Sequence, residues 1–257
     1  MNFKKYHQPF SHSSDSSVGV LVIHGFTSTT SSILPMAEFF AESGFNVELP
    51  RLSGHGSKWE NLNETSYLDW VEDLEKALKK LQNRANKIFL CGLSLGGGLA
   101  LYLAAEHPEI SGNILINHAS VFTDPSFWFV PIIKKIVPSV KAIASDIADP
   151  SQKEIAYSRT PTAGVHEMLK MLKVMRSKLK EITTPTIIFK SRQDHVIPIK
   201  SAIYTYDKLP NKSNELVWLE KSYHVATLDY DKDLICEKSL EFINTNMKIT
   251  RFNASQV

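Results

Sequence analysis

The sequence feature that most constrains the fold is a repeated alternation of short apolar runs with helical segments. The runs are VGVLVI (18–23), FNVEL (45–49), KIFLC (87–91), NILIN (113–117), TIIFK (186–190) and ELVWL (215–219). Continuous apolar runs of this length are typical of strands that are buried on both faces of a parallel sheet. Because strand–helix–strand units place parallel strands side by side, we expect an α/β protein: a mostly parallel central sheet with helices on both faces.

The alternation also predicts the domain organisation. It holds over 18–118 and 181–246, which we assign to the core, and it stops over 119–180. That interruption predicts an insertion lying over one edge of the sheet. Residues 1–17 carry no strand or helix pattern and are expected to be a flexible segment, and 247–257 is expected to be a loosely held tail.

Composition excludes several classes of function. The net charge is +2 and no basic block dominates, so nucleic acid is not an expected partner. The densest basic run, 170–180, has Met and Leu at helical spacing and is interpreted as one face of an amphipathic helix. Cys91 and Cys236 are interpreted as small buried hydrophobic residues. No metal-ligand pattern, P-loop or dinucleotide fingerprint occurs, so no metal and no cofactor are expected.

The N-terminal residues have lysines but no apolar stretch behind them, which argues against a secretory signal. The run at 18–23 is far too short to span a membrane. We therefore expect a cytoplasmic protein. No pattern in the sequence indicates an oligomeric state.

The motif with the clearest chemical meaning is CGLSLGG (91–97), in which Ser94 lies between Gly92 and Gly96. A predicted strand precedes it and a predicted helix follows it. A G-x-S-x-G sequence in that setting forms a sharp turn that presents the serine hydroxyl at the carboxyl edge of the sheet. A serine hydroxyl is a poor nucleophile at neutral pH, so it requires a base, and the base requires a group that holds its tautomer.

Candidates for both groups follow later strands. In this arrangement an acid follows a late strand and a histidine follows the last one, in the order Ser, Asp, His. Asp194 lies four residues beyond the run at 186–190, and His224 lies five residues beyond the run at 215–219. We therefore predict a Ser94–His224–Asp194 triad.

The other histidines are weaker candidates for the base. His195 is adjacent to Asp194 and cannot easily turn back toward the same carboxylate. His107 precedes the proline that ends a helix and is expected to be a cap or surface residue. His7 and His12 lie in the N-terminal segment. His118 closes a strand at the same sheet edge and stays a candidate for lining the pocket.

The oxyanion of acyl transfer requires two preorganised donors. One is expected to be the backbone N–H of Leu95, the residue after the nucleophile. The other is expected in the loop HGFTS after the first strand, with the N–H of Phe26 as donor. The alternative is that His24 and Gly25 only shape this turn.

Several segments together resemble a known family. HGFTST, PRLSGHG, GLSLGGG, TPTAG, QDHVIP and SYHVATLDYDKD are similar to segments of the bacillus-type carboxylesterases and monoacylglycerol lipases. The resemblance runs from Val18 to Ile243. It implies the α/β-hydrolase fold with 119–180 as a small cap, and it implies for the triad and the oxyanion donors the roles already assigned. The methionine that follows the serine in some relatives is Leu95 here.

The resemblance also implies a substrate, a small lipid or ester and above all a monoacylglycerol. Six apolar cap residues would then line an acyl tunnel or rest on a lipid surface, which allows transient membrane contact through the cap. They are Phe122, Phe127, Trp128, Phe129, Ile132 and Ile133. The alternative is that they pack the cap onto the body. Glu154 is expected to meet a glycerol hydroxyl. Two other functions stay open, a broad short-chain carboxylesterase and a non-catalytic ligand receptor that keeps the fold.

Overall fold

Six of the strands that the structure describes lie where the apolar runs predict them. The structure is a computed structural model, and it describes residues 7–142 and 145–254. The strands are β1 (Phe10–His12), β2 (Val18–Ile23), β3 (Asn46–Leu49), β4 (Lys87–Leu93), β5 (Gly112–Ile116), β6 (Ser139–Lys141), β7 (Arg159–Pro161), β8 (Thr186–Ser191) and β9 (Glu215–Leu219). The helices are α1 (Leu34–Glu42), α2 (Trp59–Asn63), α3 (Tyr67–Gln82), α4 (Leu95–Glu106), α5 (Val130–Ile133), α6 (Thr162–Lys178), α7 (Ile199–Lys208) and α8 (Lys232–Ala254).

Seven strands form one sheet in the order β1-β3-β2-β4-β5-β8-β9. Only the edge pair β1–β3 is antiparallel, so the predicted mostly parallel sheet is confirmed. In the register of β2 with β4, Ile23 lies opposite Gly92. The loops that follow these two strands therefore leave the sheet side by side.

Helices cover both faces of the sheet. On one face, Leu21, Leu90 and Ile188 pack in a core with α3, α4, α6 and α7. On the other face, Val20, Phe89 and their neighbours pack with α1 and α8. Successive strand residues alternate between these two cores, which is why the strands read as continuous apolar runs.

Helix α3 begins as the sequence indicates, but its buried face is different. Ser66 and Asp69 form a capping box that satisfies N–H groups of the first turn. The predicted apolar face included Leu68, which is 57% exposed. Trp70 is fully buried and sets the orientation of the helix. At about 100° per residue, Leu68 lies roughly 160° around the helix from Trp70 and faces solvent.

The two ends of the chain differ from the expectation. The sequence predicts a flexible segment over 1–17, but β1 lies within it and pairs with β3 from Phe10 to His12. This strand was missed because a three-residue edge strand has too little apolar pattern to recognise. In the expected tail 247–257, the backbone continues α8 as far as Ala254. Residues 1–6 and 255–257 lie outside the described residues.

The interrupted part of the sequence contains structure that the pattern did not predict. Between β5 and α6, β6 and β7 form a two-stranded antiparallel sheet. The amphipathic helix expected around 170–180 is α6, and its Met171, Leu172 and Met175 are fully buried in the core that also contains Leu99. The last part of 119–180 is therefore packed into the body. Among the described residues, no helix combines the length and apolar character that a membrane crossing requires.

Candidate active site

Ser94 occupies a sharp turn between β4 and α4. Its φ is 56° and its ψ is −118°, a backbone conformation that non-glycine residues rarely adopt and that costs about 1–3 kcal/mol. The turn is held by its neighbours, because the N–H of Ser94 donates to the carbonyl of Ile116 at 3.0 Å and its own carbonyl accepts from Ala119 at 2.9 Å. The strained turn places the hydroxyl at the carboxyl edge of the sheet.

The glycines around Ser94 are required by close packing. A Cβ at Gly92 would lie 2.3 Å from the backbone of Gly96, and a Cβ at Gly96 would lie 2.2 Å from the carbonyl oxygen of Ile23. Both contacts are with backbone atoms, which cannot rotate away. Larger residues at these positions would therefore displace α4 from the sheet.

Asp194 and His224 are brought together, although 30 residues separate them in the chain. The Nδ1 of His224 lies 3.1 Å from the Asp194 carboxylate. The same carboxylate accepts the N–H groups of Val196 at 2.9 Å and Ile197 at 2.8 Å. With these bonds it is fixed in one orientation and is fully buried. A carboxylate on Nδ1 leaves Nε2 of the ring as the nitrogen that can accept a proton.

A lysine that the sequence reasoning missed also binds this carboxylate. Lys190, in β8, is fully buried, and its ammonium donates to Asp194 and to the carbonyl of Ile197. Burial alone would raise the pKa of Asp194, but the charges and hydrogen bonds of His224 and Lys190 hold this pKa well below its usual range. Burial lowers the pKa of Lys190, and Asp194 opposes that shift. The sequence feature that could have indicated this contact is a lysine inside a strand that is otherwise mostly apolar.

Two further polar residues hold the loop that carries His224. Asp146, in the inserted segment, accepts the backbone N–H of His224 at 3.1 Å. Asn117, at the end of β5, donates its amide to the carbonyl of His224 at 2.8 Å and accepts from Ser191 at 2.8 Å. Neither residue lies in a recognisable motif, and their contacts span 78 and 107 residues of sequence.

The loop after β2 carries Phe26. His24 is fully buried, with Nδ1 2.9 Å from the carbonyl of Gly25 and Nε2 accepting the N–H of Leu52 at 3.1 Å. Burial lowers the pKa of His24 to about 4, so this ring is neutral and acts as a structural link. The N–H of Leu95 belongs to the first residue of α4, a position that has no acceptor within its own helix.

One cavity of about 180 Å³ contains most of the predicted site residues. Ser94, His224, Phe26, Glu154 and Phe122 line it, together with the side chains of Phe127, Val165, Met168, Val196 and Ile197. The rings of Phe122 and Phe127 stack with their centroids 4.3 Å apart. The lining of the cavity thus combines apolar side chains with the polar groups of Ser94, His224 and Glu154.

Trp128 is not placed with these residues. Its side chain is 85% exposed and borders a neighbouring surface groove. In the 3₁₀ helix Pro125–Phe129, Phe127 turns inward while Trp128 turns outward. Of these two neighbouring residues, Phe127 lines the cavity and Trp128 does not.

The other histidines have different partners. His118 is buried, bonds Thr205 at 2.8 Å and does not border the cavity around Ser94. His195 lies 2.7 Å from Asp146 instead of turning toward Asp194. His107 ends α4 and pairs with Glu75 at 2.8 Å, as expected for a cap residue. Within the described part of the chain, no group of three or more His, Cys, Asp or Glu side chains could hold a metal ion.

Comparison with known proteins places the chain in a family. The model of the Hydrolase_4 family, described as serine aminopeptidase S33, matches residues 15–231. The thermostable monoacylglycerol lipase of Bacillus sp. (strain H-257) is 40% identical over 91% of this chain and 93% of its own length. The carboxylesterase of Bacillus subtilis (strain 168) is 26% identical over 87% of this chain and 91% of its own length.

Solved structures agree with this assignment. A structure from work on LipS and LipT, two metagenome-derived lipolytic enzymes, has a TM-score of 0.90 and 36% identity, covering 93% of this chain and 98% of that one. The monoacylglycerol lipase of Paleococcus ferrophilus has a TM-score of 0.78 at 15% identity, covering 93% and 98%, and shows the shared fold. The chain therefore belongs to the Hydrolase_4 family of α/β hydrolases, in the branch of the Bacillus monoacylglycerol lipase and carboxylesterase.

Proposed function

We propose that the protein is a serine hydrolase that cleaves esters of single acyl chains, monoacylglycerols above all, through an acyl-enzyme on Ser94. Its membership of the family establishes the coarser statement that it is a carboxylic ester hydrolase. The observation that carries the proposal is the cavity that Ser94 and His224 both line, with Asp194 bonded to Nδ1 of the histidine ring.

In the proposed mechanism, Ser94 attacks the ester carbonyl while His224 takes the hydroxyl proton. The N–H groups of Phe26 and Leu95 stabilise the oxyanion that forms on the former carbonyl oxygen. His224 then gives the proton to the leaving alcohol, and the acyl group remains on Ser94. A water molecule, deprotonated by His224, releases the fatty acid and restores the serine.

Asp194 has a constant role in these steps. Its pKa lies well below the usual range, so it remains a carboxylate throughout the cycle and the proton stays on the imidazole. The carboxylate holds the tautomer in which Nδ1 carries the proton and Nε2 is free to act. It also stabilises the imidazolium that exists between the two proton transfers.

The lining of the cavity supports a small ester with one acyl chain. The apolar wall of Phe122, Phe127, Val165 and Met168 suits an alkyl chain, since contact with such side chains removes apolar surface from water. Glu154 is a carboxylate in the same cavity and can accept hydrogen bonds from free hydroxyl groups of glycerol. The name of the Bacillus relative, 40% identical to this chain, points to the same substrate class.

The test compares two substrates with one acyl chain. Fatty-acid release would be measured from 1-monolauroylglycerol and from methyl laurate, with the native protein, Ser94→Ala and Ser239→Ala. We expect Ser94→Ala to lower kcat by about 10⁴-fold or more. Ser239 is a buried serine of α8, so Ser239→Ala controls for loss of a buried hydroxyl away from the site.

Each outcome has a defined meaning. A preference for the glyceride that Glu154→Ala abolishes would support recognition of glycerol. Equal rates on both esters would reduce the assignment to a carboxylesterase of broad specificity. Near-native turnover by Ser94→Ala, or failure of an organophosphonate to label Ser94, would contradict the mechanism, and the absence of labelling would favour a non-catalytic ligand receptor.

The inserted segment carries a second part of the proposal, transient contact with a lipid surface. Trp128, Phe129, Ile132, Ile136 and Val140 are exposed, and Lys135 and Lys141 lie among them. We call these seven residues the cap surface. Exposed aromatic and aliphatic side chains beside lysines match the interface of an anionic membrane. Such contact would deliver a lipid substrate near the cavity.

A further inference from the structure

Lys190 is a charged side chain at a buried position, where an apolar side chain would have a smaller desolvation penalty. It lies in β8 between Phe189 and Ser191, and its side chain has no exposure to solvent. Burying an ammonium is unfavourable unless an opposite charge and hydrogen bonds compensate the loss of hydration. Its compensating partner is Asp194, the proposed catalytic acid.

We propose that Lys190 is a positioning residue for the triad, which orients the Asp194 carboxylate and offsets its charge so that His224 works as a base at lower pH. This inference rests on the proposed function, in which His224 is the base. Lys190 itself touches neither substrate nor Ser94 in this proposal. It acts through Asp194.

The hydrogen bonds show how the orientation arises. One oxygen of Asp194 accepts the N–H groups of Val196 and Ile197, and the ammonium of Lys190 donates to the other oxygen. The same ammonium donates to the carbonyl of Ile197 at 2.7 Å, which ties the turn after β8 back to the strand. The carboxylate therefore cannot rotate, and His224 meets it in one geometry.

The charges give the direction of the effect. With Lys190 present, the buried group of Lys190, Asp194 and His224 changes from neutral to +1 when the imidazole takes a proton. With a neutral residue in place of Lys190, the same group changes from −1 to neutral. A buried site disfavours net charge, so the lysine makes protonation of the imidazole less favourable. The acid limb of the activity profile should accordingly lie at lower pH when the lysine is present.

Other titratable groups also face this cluster. Asp146 accepts the N–H of His224 and pairs with His195, and Glu154 borders the same cavity. Burial, with the charge of Lys190 as the smaller cause, lowers the pKa of His118 to about 3. His118 is therefore neutral over the whole acid limb. Replacing Lys190 removes only the smaller cause at His118, where burial still keeps the ring neutral, and it leaves the hydrogen bond from His224 to Asp146 in place. A shift in the acid limb therefore reports on Lys190 acting through Asp194.

Two substitutions separate the effect of the Lys190 charge from the effect of its hydrogen bonds. Lys190→Met keeps an unbranched side chain without charge, and Lys190→Gln adds a donor that can serve the Ile197 carbonyl. The control is Lys178→Met, which removes an ammonium paired with Glu106 on the surface. The measurement is kcat/KM for 1-monolauroylglycerol as a function of pH, together with thermal unfolding of each protein.

We expect both Lys190 variants to move the midpoint of the acid limb upward by about one pH unit. Lys178→Met should leave the midpoint unchanged. Equal midpoints in the native protein and both Lys190 variants would overturn the proposal, even if the variants were less stable. Failure of both variants to fold would also overturn it and assign Lys190 a purely structural role.

Ser94→Ala, measured in the same series, distinguishes failure of the proposed function from failure of the role proposed for Lys190. If Ser94→Ala retains turnover, the proposed function fails, and with it the role of His224 as base. If Ser94→Ala is inactive and the acid limb does not move in the Lys190 variants, only the role of Lys190 fails.

Discussion

Backbone strain is concentrated at residues that border the site. Among the described residues, the non-glycine residues with positive φ are Thr27, Ser94, Asn117 and Ser145. Thr27 follows Phe26, Asn117 binds the loop of His224, and Ser145 precedes Asp146. Strain of this kind persists only where surrounding structure holds it, and it is common where side chains must be placed for function. Each of the four is adjacent to a group that the proposed mechanism uses or that holds His224.

The prediction at this scale concerns Gly96. Gly96→Ala would place a Cβ 2.2 Å from the carbonyl oxygen of Ile23, so β2 and α4 must separate. We expect a loss of about 3 kcal/mol or more in the free energy of unfolding, together with loss of ester hydrolysis. Chemical denaturation and a turnover assay would measure both.

The control is Gly44→Ala, at the end of α1. Gly44 has a φ of +85°, and a Cβ there would meet nothing within 4 Å. Its replacement should lower the free energy of unfolding by only about 1–2 kcal/mol, because alanine disfavours the left-handed backbone conformation. Equal costs at Gly44 and Gly96 would show that close packing is not the reason for the glycine beside Ser94.

At the scale of elements, the inserted segment is bound to the loop that carries His224. The carboxylate of Asp229 accepts the N–H groups of Ala148 at 2.7 Å and Asp149 at 3.0 Å. In the other direction, Asp146 accepts from His224 through its carboxylate and from Val225 through its carbonyl. The insertion therefore helps to hold the loop that carries His224, and it also contributes Phe122 and Glu154 to the lining of the cavity.

The prediction at this scale is that Asp146→Ala lowers kcat more than it changes KM. The N–H of His224 would lose its acceptor, and one such bond is worth about 1.4 kcal/mol, or a tenfold change in rate. Asp146→Asn keeps a carbonyl oxygen in the same place and should restore most of the turnover. Steady-state kinetics of both variants provides the measurement.

Asp149→Ala is the matched control, because the Asp149 carboxylate bonds only its near neighbour Ser151 among the described contacts. It should keep native kcat and KM. A loss of thermal stability in Asp146→Ala without any change in kcat would contradict a positioning role for Asp146.

At the scale of the whole molecule, the cap surface combines five exposed large hydrophobic side chains with two lysines. Trp128 and Ile136 are among its most exposed members, and they lie in one stretch of the inserted segment. The groove beside Trp128 is bordered by Phe122 and Phe127, which also line the cavity that contains Ser94. A lipid surface that meets the cap surface would therefore lie close to Phe122 and Phe127 of that cavity.

The prediction at this scale is measured by vesicle sedimentation. The native protein should bind vesicles that contain anionic phosphatidylglycerol more strongly than vesicles of phosphatidylcholine alone, because of Lys135 and Lys141. The double variant Trp128→Ser, Ile136→Ser should bind about tenfold more weakly. Leu68→Ser is the control, since Leu68 is exposed on α3, away from the cap surface. Equal binding by all three proteins would remove the cap surface as a membrane contact.

The sequence alone determined the fold class, the six core strands in their succession along the chain, and the placing of Ser94, Asp194 and His224 just beyond three of those strands. These features are local, because each depends on a few neighbouring positions in the sequence. They are the strand and helix patterns, the glycines at a turn and the residues just beyond a strand. The predicted parallel sheet was confirmed for that reason.

Only the tertiary structure decided which other residues meet at that edge of the sheet. Asp146 and Asn117 join the loop of His224 across separations of 78 and 107 residues, and no local pattern in the sequence indicates contacts at that distance. Trp128 and Phe127 are neighbours in sequence, yet one faces solvent and the other the cavity. Packing of whole elements, which sets helix rotation and loop contacts, is the physical cause of both results.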